Sequence, residues 1–142
     1  MRFHSADLTV STSKSMEIVD VPEQVDSVLA ESRIRNGVLN LWVPHTTAAI
    51  MVNEHEANLW EDILTILGQL APPSVNYSHD AKYVRSIKEQ NARAHILNCL
   101  VKPSISLPIE EGRVLLGTWQ SILFLEMDGP RTRSIHAKIM GE

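Results

Sequence analysis

The alternation of apolar and polar positions predicts strands at both ends of the chain and helices between them. Residues 2–10 and 14–20 read as two strands joined by the polar turn Ser11-Thr12-Ser13. A helix at about 22–35 follows. Asp20 is placed to cap it, with Glu23 three residues on and Pro22 inside the first turn. Val21, Val25, Val28 and Leu29 share one helical face, Glu31 and Arg35 lie one turn apart, and Gly37 is the expected stop.

Residues 38–52, VLNLWVPHTTAAIMV, are apolar on both parities. They predict either one strand covered on both faces or two strands meeting near Pro44. A second helix begins at an Asn53 cap, with Glu56 at the third position. Leu59, Ile63, Ile66 and Leu67 form its stripe, and Gly68 and Pro72-Pro73 close it. Residues 71–92 show weak periodicity, and a connection of that length in a compact domain is often functional. A short helix is expected over 92–101. Strands are expected at 104–109, 113–117, 119–127 and 132–140, with Asp128-Gly129-Pro130 turning the last pair. Helices inside a strand-rich chain predict an α+β fold, a β-sandwich of mainly antiparallel strands with a few helices, in a single domain over 1–142.

Composition narrows the function classes. At 44% apolar and 21% charged residues the profile is globular. A net charge of −4, from 13 basic and 17 acidic residues, gives no bulk attraction for nucleic acid. Any anion site must therefore be local. The single cysteine, Cys99, sits among apolar residues and reads as packing; one cysteine excludes an internal disulfide and suits a reducing compartment. No membrane span and no secretory leader is apparent, so a cytoplasmic setting without membrane partners is expected.

Histidine is the first candidate chemistry. His4 and His136 lie in strand-like segments with polar neighbours and read as surface residues. His55 reads as a bystander in the first turn of a helix, where the dipole disfavours its charged form. His45 lies in the apolar run, where an imidazole must find partners or a metal. His79 and His95 lie in and after the long connection. No HxH, HExxH or CxxC spacing exists, so a zinc site on His45, His79 and His95 requires the fold to bring them together. The second candidate is Glu126-Met127-Asp128-Gly129-Pro130-Arg131-Thr132-Arg133. Two carboxylates and two guanidiniums either form a structural ion-pair network or grip a polyanion, with Mg²⁺ held by the carboxylates. Arg133 shares the parity of Ile135, Ala137 and Ile139, which places it at the edge of a buried face. Gly117-Thr118-Trp119-Gln120 marks a tight turn, and Gln120 in an apolar strand needs a partner.

Five segments in order, PHTTAAIMVNE (44–54), YSH (77–79), NARAHI (91–96), LPIEEGRVLLGTWQ (107–120) and EMDGPRTR (126–133), resemble the YjbQ family of secondary thiamine-phosphate synthases. The resemblance spans nearly the whole chain and departs from the family pattern at 80–90, which is longer and more charged. It implies a small α+β sandwich assembled as a homotrimer, with sites at subunit boundaries. It implies metal or anion binding at His45, His79 and His95. Glu54, Glu126 and Asp128 are then the catalytic candidates, and Arg131, Arg133, Asn53 and Gln120 the candidates for holding a phosphorylated small-molecule substrate. The implied reaction joins a pyrimidine pyrophosphate to a thiazole phosphate. It needs cationic help for the leaving pyrophosphate, usually from Mg²⁺ and arginine. Three histidines form a softer site than Mg²⁺ prefers, so the synthase reaction is expected to be a secondary activity. The alternative is a non-catalytic trimer that binds a metal or a metabolite.

Overall fold

The computed structural model describes all of residues 1–142. Its elements run β1 (Arg2–Ser11), β2 (Glu17–Asp20), α1 (Pro22–Ser32), β3 (Gly37–Trp42), β4 (Ala48–Asn53), α2 (Ala57–Leu70), α3 (Ala92–Val101), β5 (Ser104–Glu110), β6 (Arg113–Val114), β7 (Ser121–Glu126) and β8 (Thr132–Gly141). Two antiparallel sheets result. The larger has the order β1-β8-β3-β5-β6 and the smaller β2-β7-β4. With three helices this is the mixed α+β architecture expected from the alternation.

The small sheet is the middle layer. Ile122, Phe124, Ala48 and Ile50 belong to a core shared with the inner face of the large sheet and with Val25, Val28 and Leu29 of α1. Leu123, Leu125 and Ala49 belong to a second core shared with Leu67 of α2 and with Ala94 and Leu97 of α3. This explains why β4 and β7 are apolar on both parities: each face has its own cover. The large sheet alternates instead. Along β8, Arg133, Ile135, Ala137 and Ile139 are buried while His136, Lys138 and Met140 are exposed.

Several local expectations resolve differently. The first two strands do not form a hairpin: β1 pairs with β8 in one sheet and β2 with β7 in the other. The 38–52 run is two strands, one in each sheet, and the chain crosses between layers at Val43–Thr47. Asp20 caps nothing, because its carboxylate is taken by His55 and Ser121. Helix α1 stops at Ser32 through Arg33 in the left-handed region (φ 55°), ahead of Gly37. Gly37 serves packing, since a Cβ there would lie 2.0 Å from the Met140 carbonyl oxygen. The cap of α2 is Glu56, which accepts hydrogen bonds from the backbone N–H of Asn58 (3.1 Å) and Leu59 (2.6 Å), while Asn53 caps its own strand end. Short 3₁₀ turns at Asp80–Tyr83 and Ile87–Glu89 structure the long connection. Cys99 is exposed, and His4 is half-buried with Nε2 sealed and unpaired. No helix is long and apolar enough to cross a membrane.

Candidate functional site

The polar residues singled out in the sequence divide between the two ends of the β4–β7 pair. Ala48 lies opposite Glu126 and Asn53 opposite Ser121. Five residues of extended chain separate these ends, about 17 Å. Glu126, Asp128, Arg131 and Arg133 are at one end with His45. Asn53, Glu54 and Gln120 are at the other. Within one chain they cannot enclose a common small substrate.

The first end is built around Glu126, fully buried at 0% exposure. Antiparallel pairing brings it opposite both Glu17 and Ala48, and the turn to β8 returns Arg133 over it. Arg133 Nε donates to Glu126 Oε1 (2.9 Å) and Nη2 to Oε2 (2.5 Å), while Nη2 also donates to Thr47 Oγ1 (2.9 Å). Thr12 donates its hydroxyl to Oε1 (2.8 Å), and the N–H groups of Met127 and Asp128 donate to Oε2 (3.1 and 3.2 Å). Burial pushes the Glu126 carboxyl up. The hydrogen bonds from Arg133, Thr12 and Asp128 and the charge of Arg133 outweigh it, leaving the pKa below the usual 4.5. The carboxylate is saturated with donors. Its part is to fix Arg133, whose remaining nitrogen, Nη1, makes no hydrogen bond within the chain and is not sealed from solvent.

His45 flanks this pair on the β3–β4 crossing. Its Nε2 accepts a hydrogen bond from the Ser134 N–H (3.0 Å). Burial first, then the positive charge of Arg133, hold its pKa below 6.5 against the pull of Glu126. A neutral imidazole whose Nε2 lone pair is engaged carries its proton on Nδ1. His45 is therefore a donor here, with neither nitrogen offering a lone pair to a metal.

His79 and His95 do meet, with ring centroids 4.9 Å apart. His79 Nδ1 faces Asp80 Oδ1 (3.0 Å), an oxygen that also accepts from the Ala92 N–H (3.0 Å) at the start of α3. His95 Nε2 faces Asn91 Oδ1 (3.1 Å). Asn91 Nδ2 donates in turn to Asp128 Oδ2 (2.8 Å), the oxygen that Arg131 Nη2 also reaches (2.8 Å). The histidine pair and the Glu126–Arg133 pair thus flank the same β7–β8 turn. No group of three or more His, Cys, Asp or Glu side chains is arranged to hold a metal. With Nε2 of His45 committed to Ser134, the three histidines as placed do not fit a zinc ion held jointly.

The fold that carries these residues recurs in known proteins. The UPF0047 protein YjbQ-like family profile matches residues 6–142. The chain belongs to the YjbQ family. It is 41% identical over 134 residues to a UPF0047 protein of Archaeoglobus fulgidus, covering 94% of this chain and 99% of that one. It is 36% identical over 135 residues to YugU of Bacillus subtilis, covering 94% and 97%. Among solved structures, a YbjQ-like protein from Sulfolobus solfataricus superposes with a TM-score of 0.91 at 38% identity, covering 99% of each chain. A hypothetical protein from Aeropyrum pernix gives 0.89 at 40% identity, covering 97% and 98%.

Within this YjbQ-family chain the sequence missed four participants. Thr12, Thr47 and Asn91 complete the first end by contacts between residues 37 to 114 positions apart; Thr47 and Asn91 lie inside the segments that resemble the family, but their partners are too far along the chain for those segments to reveal the contact. At the second end Asp20 pairs with His55 Nδ1 while accepting from the Ser121 hydroxyl (3.1 Å). His55 packs on Trp60 at 4.7 Å, and the Trp60 indole N–H donates to the Glu54 carbonyl (2.9 Å). His55 is thus a held side chain at the helix start.

Proposed function

We propose that the chain is an enzyme of phosphorylated small molecules that anchors phosphate at the β7–β8 end of its small sheet. The reaction proposed is the synthase reaction implied by the sequence resemblance. The thiazole nitrogen attacks the methylene carbon of the pyrimidine pyrophosphate, a C–N bond forms, and the C–O bond breaks with its electrons leaving on pyrophosphate. No proton need be transferred, so the demand is for positive charge and oriented donors rather than for a general base. One observation carries this reading: a buried carboxylate pins Arg133 near His45, whose Nε2 is taken up by the Ser134 N–H, with the exposed Arg131 two residues before Arg133. Arg133, Arg131 and His45 would hold phosphate oxygens. Glu126 and Asp128 would orient the arginines rather than act on substrate, and Mg²⁺ would arrive with the pyrophosphate. His79 and His95 would contact the substrate beyond its phosphate.

We also propose a homotrimer. Phe3, Val38, Trp42 and Met140 stand exposed on the outer face of the large sheet, with Phe3 opposite Met140 and Met140 opposite Val38. The contiguous apolar row Phe3–Met140–Val38, with Trp42 further along β3, suits a subunit contact. Light scattering giving three times the 15.9 kDa chain mass supports this assembly, and a monomer at micromolar concentration contradicts it.

Pyrophosphate release from the two substrates, measured for the native chain and for Arg131→Gln and His45→Gln, tests the enzyme reading. Each substitution is expected to lower turnover at least about tenfold, the scale of one lost transition-state donor. No release by the folded native protein overturns the synthase reaction, and unchanged turnover in both variants overturns the anchor.

A further inference from the structure

The opposite end of the small sheet has a different chemistry. A shallow cleft of about 360 Å³ is lined there by Val52, Asn53, Glu54, Trp119 and Gln120. That volume lies within the range of small-ligand sites. Trp119 is 73% exposed on a turn that is closed from both sides. The Gln120 N–H donates to the Gly117 carbonyl (3.0 Å), and the Gly117 N–H donates to Gln120 Oε1 (2.7 Å). The indole is held out by this turn, where it buries little of its own apolar surface.

Glu54 faces the same cleft. The residue is half-buried, yet its carboxylate makes no ion pair and accepts no hydrogen bond within the chain; only its backbone is engaged. The nearby imidazole of His55 is turned to Asp20 instead. No lysine or arginine lines the cleft, and the charged side chains on the adjoining strand end and helix start include Asp20, held by Ser121 and His55, and Glu56, the cap of α2. The local field therefore opposes a phosphate and favours a positive charge. An indole face and an uncompensated carboxylate together are the chemistry that recognises organic cations.

We infer that the Trp119–Glu54 cleft is a binding site for a monovalent organic cation, quaternary or heteroaromatic, separate from the phosphate end of the same chain. The cation lies on the Trp119 indole and is neutralised by Glu54. The amide nitrogens of Asn53 and Gln120, whose oxygens are held by the Glu54 and Gly117 N–H groups, are free to donate to acceptors on the ligand's rim. Affinity here does not depend on the phosphate reading, because no residue is shared between the two ends.

Choline and its neutral isostere 3,3-dimethylbutan-1-ol provide the test. Each is titrated into the full chain while the three indole N–H signals are followed by NMR. Choline is expected to shift the Trp119 signal saturably, with the isostere at least about fivefold weaker. Trp119→Leu and Glu54→Gln, each checked for an unchanged melting profile, are expected to weaken choline binding by a similar factor or more. Equal binding of choline and the isostere overturns the proposal, as does a shift confined to Trp42 or Trp60. Absence of saturable binding also overturns it, whatever the outcome with phosphate ligands.

Discussion

Replacing Arg133 by methionine isolates what the buried ion pair does. Methionine is similar in length, so the change removes charge and hydrogen bonds more than volume. Glu126 would stay at 0% exposure with only the Thr12 hydroxyl and two backbone N–H groups on its oxygens. Removing one member of a buried pair leaves an uncompensated charge and typically costs about 3–5 kcal/mol. That is a large share of the roughly 5–15 kcal/mol that holds a domain folded. At roughly 2–4 °C per kcal/mol for a chain near this size, the melting temperature should fall by about 10 °C. Urea unfolding at pH 7 measures the same quantity through a lower midpoint at unchanged slope. The double variant Glu126→Leu/Arg133→Met should recover most of the loss, because neither charge then remains in the core. A loss below about 1 kcal/mol in Arg133→Met would refute the reasoning, as would a double variant no more stable than the single one.

Acid sensitivity should appear in two stages. The His45 pKa is depressed in the folded state, so below about 6.5 the unfolded chain takes up a proton that the native chain refuses, and stability begins to fall. Glu126 is held low as well; its contribution is fully present above about 4.5 and is lost as pH falls through its folded value, a range shared with Glu56 and Asp80. His45→Gln should remove the upper stage alone, and urea midpoints between pH 4 and 8 would show whether it does. Leu125→Ala, at a position of 0% exposure between β7 and the helices, should cost about 2–5 kcal/mol. A calorimetric loss under about 1 kcal/mol there would contradict the second core.

Legibility in the sequence followed the range of the interaction. Helix α1 and strands β5 and β8 were readable because helical period, in the Val25, Val28 and Leu29 face, and alternation are local signals. The burial of Arg133 was readable from its parity with Ile135, Ala137 and Ile139. The pairing of β1 with β8 was not, since a register between residues 2–11 and 132–141 leaves no mark in either segment alone. Asp20 misled for a physical reason: an aspartate before a proline-led helix looks like a cap until a distant histidine claims it. At the site, the β7–β8 segment was recognisable as paired charges. Its division from Asn53, Glu54 and Gln120 became visible only through the antiparallel β4–β7 register, which sets the two groups at opposite ends.

The most direct test of the phosphate end is calorimetric titration of inorganic pyrophosphate at pH 7, with and without Mg²⁺, into the native chain, Arg131→Gln and Glu54→Gln. The account predicts saturable binding that weakens at least about tenfold in Arg131→Gln, the scale of a lost charged hydrogen bond, and is unchanged in Glu54→Gln. Binding that survives Arg131→Gln but is lost in Glu54→Gln would place the anion at the wrong end of the sheet and contradict it.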